Sequence, residues 1–256
     1  MKKTNFPMGF LIVATFVALS FNQAEAAGSC DFKEGIKELS VIQALPQTND
    51  GLEKIKNELS IRKKLIGQTI DCAINETLSV QSGLKTVNTN YPELDDIKSR
   101  FVSKLNEIIG YYQMQKNTVN DLGIEGSKIF SANLKSWRAS NFIPMAELGE
   151  NFIIFSKNQD ILQTTQNRAD QINLTLKTLD LADNQKISGV LNDARKNIRL
   201  ANDDNNQTRD ILKRMSWPNN ASDLTISSLK YLKNAYQNFF DIWKETEGIL
   251  KPAATK

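Results

Sequence analysis

Histidine is absent from all 256 residues. That single gap removes His-based general acid and base catalysis, the Ser–His and Cys–His nucleophile pairs, and the commonest zinc and haem ligand sets. Cysteine, proline and glycine are also sparse, at two, six and twelve residues, too few for a disulfide-dense, collagen-like or low-complexity chain. Past the N-terminal segment no apolar run approaches the length of about 17 to 20 residues that spans a bilayer. No phosphate-cradling glycine loop occurs, and Gly123-x-x-Gly126 on a helical segment signals flexibility only. Neither charge dominates: 32 Lys plus Arg face 29 Asp plus Glu, a net of +3. The densest basic run, Lys54, Lys56, Arg62, Lys63 and Lys64, scatters around a helix instead of lining one side, so no nucleic-acid partner is expected.

The carboxylates that could still carry chemistry are badly placed for it. Asp95-Asp96 and Asp203-Asp204 are helix neighbours about 100 degrees apart and cannot share a substrate. A calcium loop around Asp203, Asp204 and Asn206 lacks both the turning glycine and the closing glutamate. No catalytic residue, metal or cofactor is therefore expected.

The N-terminus has the layout of a secretory signal peptide. Lys2 and Lys3 precede an apolar stretch from Phe6 to Phe21, and Ala24-Glu25-Ala26 supplies a small-x-small cleavage site, giving a leader of residues 1–26. The localisation this implies is bacterial periplasmic or secreted. Cys30 and Cys72 would then meet an oxidising compartment, where an isolated pair forms a structural disulfide. The bond closes 43 residues and is worth up to about 4 kcal/mol on the chain-entropy model.

The rest of the chain, residues 27–251, reads as one all-α domain followed by a frayed tail over 252–256. A short helix near 31–45 precedes a long one to about residue 87, introduced by Asp50 and Glu53 as a capping box. Pro92 opens a third helix with Glu93, Asp95 and Asp96 in its first turn. A kink or break follows at Gly123 to Gly126, and Asn141 to Pro144 restarts a helix that ends near Asp183. A fifth helix is interrupted by the polar run Asn202 to Gln207, and a last one follows the turn Trp217-Pro218-Asn219-Asn220. Helices of about 30 to 38 residues are about 45 to 57 Å long, so the expected architecture is an elongated up-and-down antiparallel bundle with coiled-coil-like seams.

Two apolar features are candidates for contact with a partner. The densest cluster runs from Phe142 to Phe155. It suits the core of a crowded section better than a surface, and Phe142, Phe152 and Phe155 carry the contact if it is a surface. On the last helix Leu232, Tyr236, Phe239 and Trp243 fit one buried stripe, which leaves Tyr231 and Phe240 exposed. Export, length and the lack of a catalytic set point to a non-enzymatic protein acting on a protein partner, as a periplasmic or secretion/conjugation-apparatus component or as a homo-oligomer. Polar groups at seam positions, Gln115, Asn205 and Thr208, would set register. Two other readings stay open: a small molecule held between helices near Trp137 or Trp243, and a membrane-active toxin exposing residues 142–155, with membrane contact the less favoured.

Overall fold

The computed structural model describes residues 30, 32–45, 51–87 and 92–250. The expected leader, the Asp50 cap and the C-terminal tail lie outside them. Among the described residues seven α-helices follow one another: α1 (Lys33–Ala44), α2 (Gly51–Thr86), α3 (Pro92–Thr118), α4 (Ile124–Trp137), α5 (Ile143–Thr178), α6 (Gln185–Arg214) and α7 (Ala221–Leu250). There is no strand among the described residues, and the molecule is an all-α bundle of long helices, as the periodicity implies. None of these helices is long and apolar enough to cross a membrane.

The two glycine and proline signals in the middle of the chain behave differently from one another. At Gly123 the helix breaks: α3 tightens into a 3₁₀ turn over Val119–Asp121, and Gly123 takes an extended conformation as the N-cap of α4. At Pro144 the expected restart does not occur. α4 passes into α5 through a π turn over Arg138–Phe142, so residues 124–178 form one uninterrupted helical run, about 80 Å at 1.5 Å per residue. Proline lacks a donor, and its ring collides with the carbonyl four residues back in a regular α-helix. The wider π turn immediately ahead of Pro144 makes room for it. Tyr111 fixes the turn from α3 by stacking on Trp137, with ring centroids 3.6 Å apart.

Along this run lie two apolar cores. The first gathers α2, α3, α4 and the beginning of α5 around Ile70, Leu84, Ile97, Leu105, Leu148 and the ring pair Phe101 and Phe152, whose centroids are 5.7 Å apart. The ends of α6 and α7 nearest their shared turn close it with Leu212 and Ala221. The second core is a three-helix arm made of the rest of α5 with α6 and α7. Its sequence is heptad throughout. Leu162, Ala169 and Leu176 on α5, Ile187, Ala194 and Ala201 on α6, and Leu232, Ala235, Phe239 and Ile242 on α7 are all buried. Spacings of seven keep one seam facing the partner helices, and the alanines let backbones approach closely.

Between the cores sits a polar layer. Asn158 of α5 donates from Nδ2 to Asn205 Oδ1 of α6 at 2.8 Å and to Ser228 Oγ of α7 at 2.9 Å, and Ser228 donates to the Ala201 carbonyl at 3.0 Å. The polar run at Asn202 to Gln207 therefore does not interrupt α6. Asn205 continues the heptad Leu191, Ile198, Asn205, Leu212, every member of which is buried.

α5 ends in a Schellman turn. Leu181 N–H donates to the Leu176 carbonyl and Asp180 N–H to the Lys177 carbonyl, while Asp180 adopts φ 56°. That left-handed position favours glycine. Asp180→Gly is expected to raise unfolding stability by about 0.5 to 1 kcal/mol, read as a higher urea midpoint at unchanged slope. Asn184 then caps α6, its side chain accepting from Lys186 N–H and Ile187 N–H.

Candidate functional site

α1 supplies no buried residue, so its hold on α2 rests on a few specific links. Cys30 and Cys72 are paired as a disulfide with Cα atoms 6.0 Å apart, the pairing expected from the sequence. At the far end of α1, Gln43 donates to Glu58 Oε1, and Lys54 Nζ donates to the Leu45 carbonyl. Glu58 is clamped by Arg62, with Nη2 at 2.8 Å and Nε at 2.9 Å. Arg62 first, and then Gln43, hold its carboxyl below the usual range. The donor atoms of Cys30, Cys72 and Glu76 lie within 4.8 Å of one another. With the two sulfurs bonded together, that trio presents one carboxylate and no thiolate.

Removing the disulfide should therefore loosen α1 without dissolving the bundle. In the double variant Cys30→Ser with Cys72→Ser, amide exchange over residues 35–44 is expected to accelerate at least about tenfold while α3, α6 and α7 keep their protection. Equal acceleration everywhere would contradict this.

Glu76 also meets the π turn. Arg138 Nη2 lies 2.5 Å from Glu76 Oε2, and its guanidinium sits 4.5 Å from the Phe142 ring centre. Beside this pair Tyr112 is fully buried, and its hydroxyl has no hydrogen-bond partner. Burial pushes the phenol up, partly offset by Arg138. This group joins α2, α3 and the π turn across residues 76, 112 and 138, a spacing no local pattern reveals.

The sequence candidates for contact fall into two sets. Phe142, Phe152 and Phe155 are buried. They are core residues, packed in the first cluster with apolar side chains of α2 and α3, and do not present a surface. Tyr231 is not an exposed contact either; it is partly buried against the second core. Phe240 is 48% exposed, as expected. Trp243, assigned to the buried stripe, is 56% exposed. The reason is register: the seam of α7 follows Ser228, Ala235 and Ile242 with Thr225, Leu232 and Phe239, and position 243 lies outside both heptads.

Phe240 and Trp243 stack at 5.8 Å between centroids with their planes 24° apart, and Lys244 Nζ lies 4.5 Å from the Phe240 ring centre. Leu250, two turns beyond Trp243 on the same helix, is also exposed. This apolar patch occupies the free end of the three-helix arm, where Lys186 at the start of α6 pairs with Glu245 at 2.7 Å. Compared with protein-family models, curated proteins and solved structures, the chain matches none.

Proposed function

We propose that the protein is an exported, non-enzymatic binding protein that holds a partner protein against the free end of its three-helix arm. The observation that carries this reading is the exposed, stacked pair Phe240 and Trp243. Large aromatics contribute most of the energy of a protein interface when a partner desolvates them, and the adjacent lysine supplies the polar rim. An apolar patch at a helix end, on an arm whose own seam is already filled, is the kind of surface that marks a contact site. The disulfide supports an oxidising compartment, and the lack of histidine supports binding without chemistry.

The test is the double variant Phe240→Ser with Trp243→Ser, expressed in the host beside the unaltered chain. Co-purification of the partner after mild crosslinking is expected to disappear, while unfolding stability stays within about 0.5 kcal/mol. Undiminished capture of the same protein would overturn the assignment. Recovery of a second copy of this chain as the crosslinked species would replace a foreign partner with self-association.

A further inference from the structure

Between α1, α2, α3 and α4 lies an open cavity of about 360 Å³, distinct from the patch on α7. Its walls are largely aliphatic, with Leu39 of α1, Leu65 and Ile66 of α2 and Leu134 of α4. Cavities of this size and lining are typical of sites for small ligands, in which a few polar groups fix orientation.

The polar groups here are mostly donors. Arg62, Lys135 and Arg138 line the cavity together with Tyr112. Thr69 and Ser131 also reach it, but their hydroxyl protons are committed to the carbonyls of Leu65 and Ser127, both at 2.8 Å. Arg62 is neutralised by Glu58 and Arg138 by Glu76. Lys135 has no carboxylate partner among the described residues. Among the described residues that line the cavity, the balance is thus one uncompensated positive charge. The Tyr112 hydroxyl adds an unfilled demand: it is buried, and the Arg138 side chain beside it has only donors to offer, so the phenol's own proton meets no acceptor. A buried donor left without an acceptor is costly, and an acceptor arriving in the cavity relieves that cost.

We infer that this cavity binds a small monocarboxylate with an apolar chain, the chain lying against Leu39, Leu65, Ile66 and Leu134 and the carboxylate accepting from Tyr112 and Lys135. The disulfide then has a part in binding, because it anchors α1, which brings the Leu39 wall. The inference is independent of the docking reading for α7.

The probes are decanoate, decanol and decylamine, titrated calorimetrically into the oxidised protein, with methyl resonances of Leu39, Leu65 and Leu134 reporting the location. Decanoate is expected to bind at least about tenfold more tightly than decanol, and decylamine more weakly than either. Tyr112→Phe, which removes a hydroxyl whose proton has no acceptor and leaves the ring packing intact, is expected to weaken decanoate about fivefold to tenfold. Lys135→Gln, on an exposed position, should narrow the gap between decanoate and decanol about threefold to fivefold. Circular dichroism of both variants should match the unaltered chain. Failure of decanoate to bind, equal binding of decanoate and decanol, or indifference to both substitutions in folded protein would overturn the inference.

Discussion

Phe152→Ala is expected to remove about 4 kcal/mol of unfolding free energy, whereas Phe240→Ala changes it by less than about 0.5 kcal/mol. The residue type is the same and the environment decides the difference. Phe152 is fully buried beside Phe101 where α2, α3 and α5 meet, and truncation leaves a cavity that three long helices cannot close. Phe240 has half its surface in water and packs on Trp243 and Lys244 of its own helix. Urea unfolding of the two variants gives the comparison. If Phe152→Ala costs no more than Phe240→Ala, the first core is not where the structure places it.

The polar layer gives the second large effect. Asn158→Ala removes a side chain that donates to both Asn205 and Ser228, and it leaves the Asn205 carbonyl oxygen buried without a donor. A loss of about 2 to 4 kcal/mol is expected from the lost hydrogen bonds and the cavity together. The pair Asn158→Leu with Asn205→Leu should behave differently. It removes both partners and joins the two apolar cores, so stability is expected to return to within about 1 kcal/mol of the unaltered chain or above it. The layer's contribution is then register. With the only cross-helix amide pair of the arm's described residues gone, the heptads of α5, α6 and α7 could slide by seven and still bury apolar faces. Sedimentation should reveal mixed oligomers, or exchange spectra broadened lines, in the double variant. A single sharp monomer would show that apolar packing alone fixes the register.

The seams were the most legible part of this molecule. Heptads such as Ile187, Ala194 and Ala201 are visible because burial along a helix repeats at a fixed interval, and Asn205 and Thr208 stood out as polar residues on seam positions. Where local chemistry conflicted with that repeat, the repeat prevailed. The asparagine-rich stretch at 202–207 resembles a loop, yet only one of its members has to enter the seam, and the others can remain in water. Pro144 resembles a helix start, yet a π turn absorbs it within a continuous helix. Trp243 falls on the stripe spaced three and four residues apart that Leu232, Tyr236 and Phe239 define, whereas the supercoiled seam holds to sevens and leaves it exposed. The disulfide was legible because two cysteines allow one pairing. The cavity was not, since Leu39, Arg62, Tyr112 and Lys135 come from four helices, and the missing partner of a buried hydroxyl is a property of tertiary packing alone.

The central claim, that the end of α7 is where this protein meets its partner, is tested most directly by placing a photoreactive phenylalanine at position 240, 243 or 250 in the native host. The same residue at Leu78 and Lys104, which are exposed elsewhere on the molecule, provides the comparison. One and the same adduct from the α7 positions, and none from 78 or 104, is the expected result. No adduct from α7, or equal yields from all five positions, would contradict the account.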